Sequence, residues 1–519
     1  MKKYVNIAKG IAIQLLILAL FLLYFSMAWC SDNFGNIGLN EIVFTLNMPL
    51  KGAANSYFQT YFTDALLPTI IGFAIELILY IFPKKKRYEL SACVGRRTWK
   101  VSIFPLKLNG FIWSGIILFW LVIIVNAADE KFNVYDFIRD QLEASEFIEN
   151  EYVDAALVEI KFPEEKRNLI CIYLESAESS FQDKENGGLL DVNIIPEMTE
   201  LAKNNISFSQ SELIEGAAVA PSCGWTIAGL VAQTSGLPLK LFNFDDALDG
   251  TDNTMDKYVS FMPGATTLGD ILEQEGYYNF FMAGSDFTFG GRRDYFTQHG
   301  NYEIWDYNTA IELGKIEEDY KEGWGFEDRK LYDYAKEKLL ELAQEEQPFN
   351  FSMLTVDTHT GGGYLCELCP DTFETRYENV WACASYQLSD FIEWIQQQDF
   401  YENTTICISG DHSSMQEGFL TEYDYDKHRG NIERKVYNVF INTAYEPVNM
   451  KNRQFTTLDY FPTVLAAVGA EIEGNRLGLG TNLFSDRDTL AEEYGFEDMF
   501  EELNKKSNFY DSEILYPER

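Results

Sequence analysis

The stretch NLICIYLES, residues 168–176, runs six apolar residues without a break into Glu175 and Ser176. A run this short and this continuous reads as a strand buried on both faces, as strands of parallel sheets are. Four more runs share its character: YYNFFMA (277–283), FNFSMLTV (349–356), TTICIS (404–409) and YNVFIN (437–442). Helical stretches lie between them, among them EDRKLYDYAKEKLLELAQEE (327–346) and SYQLSDFIEWIQQQ (385–398). This alternation predicts an α/β fold, a mostly parallel central sheet flanked by helices.

In open parallel sheets ligands gather at the carboxyl ends of the strands. NLICIYL delivers Glu175 there, FNFSMLTV delivers Asp357 and His359, and TTICIS delivers Gly410, Asp411 and His412. Each residue alone has a bland reading: Glu175 as a solvated strand end, Asp411 as a turn former, His412 as a helix cap. Three such ends on one edge, using two of the chain's 4 histidines, point to a site. Carboxylates with an imidazole suit Mn²⁺, Zn²⁺ or Mg²⁺ by ligand type.

A second stretch, GAAVAPSCGWTIAGLVAQTSGLPL (216–239), places Ser222, Cys223 and Thr226 where a loop enters an apolar helix. On its own it leaves two readings. Thr226 is an N-cap beside a buried Cys223 thiol, or the stretch is a nucleophile loop whose helix start favours an incoming phosphate. A hydroxyl needs a base or a cation to become a nucleophile, and the three strand ends could supply the cation.

Three apolar runs precede residue 130: about 11–29, 65–82 and 111–127. Each approaches the length that crosses a bilayer core of about 30 Å as a helix. The first follows Lys2, Lys3 and Lys9 and could be a cleaved signal, but it is longer than an ordinary h-region and two further spans follow. Lys84, Lys85, Lys86, Arg87, Arg96, Arg97, Lys100 and Lys107 crowd the loop between the second and third runs, whereas the loop after the first has only Lys51. The positive-inside rule then reads in, out, in, out. The expected organisation is a transmembrane region over 1–130, a helical stalk over 131–166, a catalytic domain over 167–490 and an acidic tail over 491–519, read as a frayed helix or as disordered. The protein is expected in the cell's cytoplasmic (inner) membrane, multi-pass, with the catalytic domain extracytoplasmic. Glu76 within the second run needs a partner, most simply in a helix–helix contact.

Residues 1–134 carry 13 Lys+Arg against 7 Asp+Glu; the rest carries 28 against 73. So acidic an outer part excludes a nucleic-acid surface, which needs basic stripes. Among the 8 cysteines, a disulfide within Cys366, Cys369 and Cys383 fits an oxidising compartment, and no second CxxC or His pair supports zinc there.

The motifs IYLES (172–176), FMPGATTLGDILEQEGYYNFFMAGSDFTFGG (261–291), HG (299–300), WGFEDRKL (324–331), LTVDTHTGGG (354–363), SGDHSS (409–414) and TTLDYFPTVLAAVG (456–469), with the Thr226 loop, come in one order. Over about 165–485 they resemble the membrane-anchored phosphoglycerol transferases, in the sulfatase-like branch of the alkaline phosphatase superfamily. GWTIAGLVAQTSGLPL is most similar to the enzymes that decorate periplasmic glucans; lipoteichoic acid synthase is a more distant likeness. The resemblance implies a divalent cation, typically manganese, held by Glu175, Thr226, Asp411 and His412, with Thr226 also the nucleophile. It places His359, Arg292, Trp225 and His299 on the substrate side. It implies transfer of phosphoglycerol from phosphatidylglycerol through a phosphothreonine to a glycan or polyol acceptor. Thr360, Gly361, Gly362 and Gly363 stand where the family often has a second histidine and a proline, so the acceptor side differs. The alternatives are a phosphoethanolamine transferase, another sulfatase-like phosphoesterase or a catalytically dead scaffold. A true sulfatase is disfavoured because Cys223-Gly-Trp-Thr-Ile lacks the Pro/Ala and Arg of the formylglycine motif.

Overall fold

The computed structural model describes residues 2–34, 38–48, 51–81, 88–94, 97–103, 109–240, 260–367, 369, 371–416, 418–420 and 430–517. Of the loop charges read for orientation, Lys84, Lys85, Lys86, Arg87, Arg96 and Lys107 lie outside the described residues. The chain forms two compact units, Met1–Gly35 with Ala54–Val134, and Asn36–Ala53 with Tyr135–Arg519.

The first unit holds three helices long and apolar enough to cross a membrane, with spans Ile7–Phe34, Ser56–Ile78 and Phe111–Phe132. The first span lies in α1 (Lys2–Phe34). The second starts nine residues before the apolar run does, because its polar side chains are paired within the bundle. Trp29 Nε1 donates to Thr60 Oγ1 at 3.0 Å, and the Ser26 and Tyr61 hydroxyls lie 2.9 Å apart. Glu76 has the helix–helix partner it needs: Gln14 Nε2 donates to its Oε1 at 3.1 Å. Between the second and third spans, Tyr88–Val94 and Arg97–Ile103 pair as an antiparallel hairpin.

The second unit is α/β. Its six-stranded sheet contains β1 (Asn168–Leu174), β2 (Tyr278–Ala283), β3 (Glu303–Trp305), β4 (Phe349–Leu354), β5 (Thr404–Gly410) and β6 (Asn438–Ile441), in the order β6-β5-β1-β4-β2-β3. All neighbours are parallel except β6, which pairs antiparallel with β5. Five of these strands are the five apolar runs; β3 is the addition, a three-residue edge strand too short to leave a pattern. Ile170, Ile172, Phe280, Phe351, Met353, Ile406 and Ile408 are buried in the sheet's core. Register decides function here: Leu174 stands opposite Gly410 and Tyr173 opposite Leu354. The carboxyl ends of β1, β4 and β5 are therefore level, and the loops that follow open on one edge.

Two expectations need correction. The stalk is not one helix but Val134–Leu142 and Phe147–Glu151, with Phe137, Phe147 and Ile148 buried. The tail is neither frayed nor disordered: Leu490–Tyr494, Phe496–Asn504 and Tyr510–Leu515 are helical, with Met499, Phe500, Leu503, Tyr510, Ile514 and Leu515 buried. Its acidic residues occupy the outer face of an amphipathic pattern, which composition alone conceals. The Lys240 ammonium is buried on this tail, donating to the carbonyls of Leu503 and Lys505 at 2.7 and 2.6 Å.

Candidate active site

Thr226 opens the helix Thr226–Ser235, whose N-cap position is Trp225. The N-cap reading of Thr226 is thereby set aside: its hydroxyl points to the strand ends. Thr226 Oγ1 donates to Glu175 Oε2 at 3.3 Å and lies 3.4 Å from His412 Nε2. His412 Nε2 is in turn 3.4 Å from Glu175 Oε1 and 3.5 Å from Asp411 Oδ2. Two glycines make this approach possible. A Cβ on Gly229 would lie 2.0 Å from the Asp411 carbonyl oxygen, and one on Gly410 would lie 2.0 Å from that of Ala177.

The backbone around the site is held from several sides. Ser176, in the left-handed region at φ 60°, donates its N–H to Asp411 Oδ1 at 2.8 Å and its hydroxyl to Glu175 Oε1 at 2.8 Å. The Thr358 hydroxyl donates to the Glu175 carbonyl at 2.5 Å. His412 Nδ1 lies 2.8 Å from the Ser413 carbonyl, which makes Nδ1 the donor and leaves Nε2 as a ligand. Beneath these loops Arg434 and Glu178, both fully buried, form an ion pair that also accepts the Ser414 N–H at 2.8 Å and donates to its carbonyl at 2.8 Å. Glu178 and Arg434 were not foreseen. They lie 256 residues apart, and neither sits at a strand end.

Glu175, Asp411 and His412 offer ligand atoms within 4.8 Å of one another, all from buried side chains. Among the described residues Asp411 Oδ2 is buried with no hydrogen-bond partner, which is costly unless something else satisfies it. Two carboxylates, an imidazole and a hydroxyl around an unsatisfied carboxylate oxygen fit a divalent cation. The electrostatics agree. Burial works to raise the Glu175 carboxyl, but His359 and His412 outweigh it and hold it down at about 2. Burial and Glu175 push Asp411 up to about 8. Burial works to lower His412, but Asp411 and Glu175 push it up to about 9. Together the buried groups retain a proton that a cation would displace.

The remaining predicted residues divide. His359 lies on the loop after β4, its ring packed at a 50° tilt against Trp324 with 4.6 Å between centroids; burial holds its pKa down against the pull of Glu175. Its loop is fastened to the one after His412, since Gln416 Oε1 accepts the Gly361 and Gly362 N–H groups at 2.9 Å. Gly361, Gly362 and Gly363 all have positive φ, so this run needs glycine. Arg292 is buried, and its guanidinium donates to Phe289 O, Ser285 Oγ and Asp286 O at 3.0, 3.2 and 2.9 Å. Burial lowers its pKa to about 10 while Glu175, Asp286, Asp306 and Asp411 support the charge. Trp225 is 9% exposed and its Nε1 has no partner.

His299 does not join the site. Its Nδ1 lies 3.1 Å from Asp270 Oδ2 and its Nε2 2.7 Å from the Phe261 carbonyl, so both ring nitrogens are used in holding loops together. Asp357 is also absent from the metal-type cluster. Its carboxyl is driven well up by burial and by Asp328, whose own carboxylate accepts the Val356 and Asp357 N–H groups at 2.7 and 3.0 Å. Cys223 is fully buried, and burial drives its thiol pKa far up, leaving no thiolate to attack. Cys369 and Cys383 form a disulfide, as expected within that trio, with Cys366 free.

The chain is similar to known proteins. Over 483 residues the chain is 27% identical to phosphoglycerol transferase I of Escherichia coli O6:K15:H31, covering 91% of this chain and 56% of that protein. The Shigella flexneri phosphoglycerol transferase I matches at 27% over 484 residues, with the same coverage. The chain thus spans about half the length of the curated relatives it matches. A solved structure, the phosphoethanolamine transferase EptA of Neisseria meningitidis, aligns with a TM-score of 0.48 at 14% identity, over 88% of this chain and 84% of that one. The model of the Sulfatase family matches residues 167–470, more than half of the chain and the whole of the six-stranded sheet. The chain belongs to the Sulfatase family.

Proposed function

We propose that this protein is a membrane-bound, metal-dependent phosphoglycerol transferase that takes phosphoglycerol from phosphatidylglycerol and passes it, through a phosphothreonine on Thr226, to a hydroxyl of an extracytoplasmic glycan or polyol. The observation that carries the reading is the position of Thr226 Oγ1, 3.3 Å from Glu175 and 3.4 Å from His412 at the level strand ends. Similarity to phosphoglycerol transferase I supports the transferred group.

A divalent cation held by Glu175, Asp411, His412 and Thr226, most simply Mn²⁺ with Mg²⁺ or Zn²⁺ as substitutes, would lower the hydroxyl's pKa and offset charge developing on phosphorus. In the first step the Thr226 Oγ1–phosphorus bond forms and the phosphorus–oxygen bond to diacylglycerol breaks. The proton given up by Thr226 balances the one taken up by the departing oxygen. The acceptor hydroxyl then attacks the phosphothreonine and frees Thr226. Arg292 supports the phosphate: three of its donor contacts hold the 285–289 turn, and the guanidinium's five N–H groups leave two more. His359, kept neutral by burial, can exchange a proton on the substrate side. Trp225 offers its unpartnered N–H to a substrate oxygen.

The lysine and arginine distribution supports an extracytoplasmic catalytic unit on a cytoplasmic membrane. The Cys369–Cys383 disulfide is independent support, since such bonds persist in oxidising compartments. The test is incubation of the membrane-embedded protein with Mn²⁺ and labelled phosphatidylglycerol, with phosphatidylethanolamine in a parallel arm. Diacylglycerol release and label on Thr226 are expected from phosphatidylglycerol. No release by the native protein, or equal release by Thr226→Ala, overturns the reading; release from phosphatidylethanolamine alone turns it into a phosphoethanolamine transferase.

A further inference from the structure

Residues 36–53 lie in sequence between the first two membrane-type spans, yet they fold with the unit that holds the catalytic cluster. Their helix α2 (Leu39–Asn47) starts after Gly38. Asn40 Nδ2 donates to Ser222 Oγ at 3.0 Å, and Ser222 is the loop residue held at φ 60° four positions before Thr226. Phe44, 4% exposed, packs its ring 5.8 Å from that of Trp225, the residue that immediately precedes Thr226. The far end of the segment reaches the turn that presents Arg292. A Cβ on Gly291 would lie 3.3 Å from Met48 Sδ, and one on Gly52, where φ is +93°, would lie 3.0 Å from Asp286 Cβ and 3.2 Å from Phe289 Cβ. Burial works to raise the Asp286 carboxyl, but hydrogen bonds from Asn308 and Thr288, with the Lys51 charge, hold it down.

From these contacts we infer that the segment between the first two spans is a built part of the active site, with Asn40 and Phe44 as positioning residues for Thr226. Ser222 sits in a backbone region that is costly for a non-glycine residue. Asn40 holds it there from outside the loop. Trp225 Nε1 makes no hydrogen bond among the described residues, and the Phe44 ring packs against this indole, directly before the helix that carries Thr226. In sequence the segment lies between the two spans Ile7–Phe34 and Ser56–Ile78, yet its contacts are with the nucleophile loop and the Arg292 turn. The positioning does not rest on the transferase reading; only the activity readout below does.

The experiment uses the full chain in lipid nanodiscs. In Asn40→Ala and Phe44→Ala, backbone amides of residues 222–226 should exchange hydrogen faster than in the native protein, with or without substrate. With phosphatidylglycerol, kcat for diacylglycerol release should fall about 10- to 100-fold, the cost of misplacing a reacting group by about 1 Å. Mn²⁺ affinity should fall by less than kcat does, since Glu175, Asp411 and His412 keep their places and only the Thr226 hydroxyl moves. Phe44→Leu, which still fills the space beside Trp225, should recover most of the lost kcat. Unchanged exchange at 222–226 overturns the inference, as does a kcat within about twofold of native. A loss of Mn²⁺ affinity parallel to kcat also overturns it, because that would mean general unfolding of the site. If the native protein releases no diacylglycerol, the transferase reading fails while the exchange measurement still decides the positioning role.

Discussion

His412 and His299 are both buried, and each has a carboxylate oxygen within hydrogen-bonding or near-bonding range. Around His299 the groups are satisfied. Both ring nitrogens have acceptors, and Asp270 Oδ2 also takes the Thr267 N–H and hydroxyl at 2.9 Å in a capping box. Around His412 contacts are long, two carboxylates face one imidazole, and Asp411 Oδ2 has no partner. Burying polar groups in that state costs free energy that folding alone does not return. The difference separates a histidine that holds the fold from one whose surroundings wait for a ligand, and it can be broken or sharpened by substitution.

The largest effect belongs to the strained side. Asp411→Asn should abolish measurable Mn²⁺ binding and lower transfer by about 10³-fold or more, the several kcal/mol a catalytic cation supplies. The same change removes one of two crowded carboxylates, so the thermal midpoint of the metal-free protein should hold or rise. If Asp411→Asn instead destabilises the metal-free protein as severely as a core truncation, the trio is structural and the contrast with His299 collapses. His299→Ala should behave oppositely. It leaves the Phe261 carbonyl without its donor and Asp270 with an uncompensated charge, which costs about 2–4 kcal/mol of stability. Turnover per folded molecule should stay within about threefold of native. Denaturant unfolding together with single-turnover kinetics reads both quantities, and a catalytic defect without a stability defect would return His299 to the substrate side.

A third effect comes from the proton held in the metal-free site. Asp411 is pushed up to about 8 by burial and Glu175, and His412 up to about 9 because Asp411 and Glu175 outweigh burial. A cation must expel a proton to bind, so apparent Mn²⁺ affinity should climb about tenfold per pH unit per displaced proton below these values and level off above them. The sign follows from raised values: protonation competes with metal at neutral pH, and raising pH removes the competitor. Calorimetric titration across this range should show it; affinity that is flat between about pH 6 and 8 would mean the carboxylates are already free of the proton.

How much of this was legible without coordinates depended on the range of the signal. The five long strands are continuous apolar runs, and Glu175, Asp411 and His412 follow directly at their ends, so local pattern located them. Thr226 needed the resemblance, because its stretch alone favoured a cap over a nucleophile. His299 was expected on the substrate side, because a motif places a residue in sequence but says nothing of what its two nitrogens meet. Arg434 with Glu178, and Asn40 with Ser222, are pairings across 256 and 182 residues that no periodicity encodes. The tail was read from its charge, whereas its fate is decided by Met499, Phe500 and Leu503 on one helical face.

The smallest effect tests whether an unmet group marks function at finer scale. Trp225 resembles Asp411 rather than His299 in one respect: its Nε1 is buried without an acceptor. Many buried groups in a large protein are left this way, and Trp381 Nε1 is another, deep in the core. What distinguishes Trp225 is its place directly before Thr226 and against Phe44. Trp225→Phe keeps an aromatic ring beside Phe44 and removes only the N–H. If that N–H meets a donor oxygen, the variant should raise KM for phosphatidylglycerol about 3- to 10-fold, the worth of one neutral hydrogen bond, while kcat and the thermal midpoint stay near native. If instead the indole only fills space, KM should be unmoved and the thermal midpoint should fall slightly as the smaller ring packs less well. The two outcomes differ in which measurement responds, so one variant assigns Trp225 either to the substrate or to the brace that carries the nucleophile.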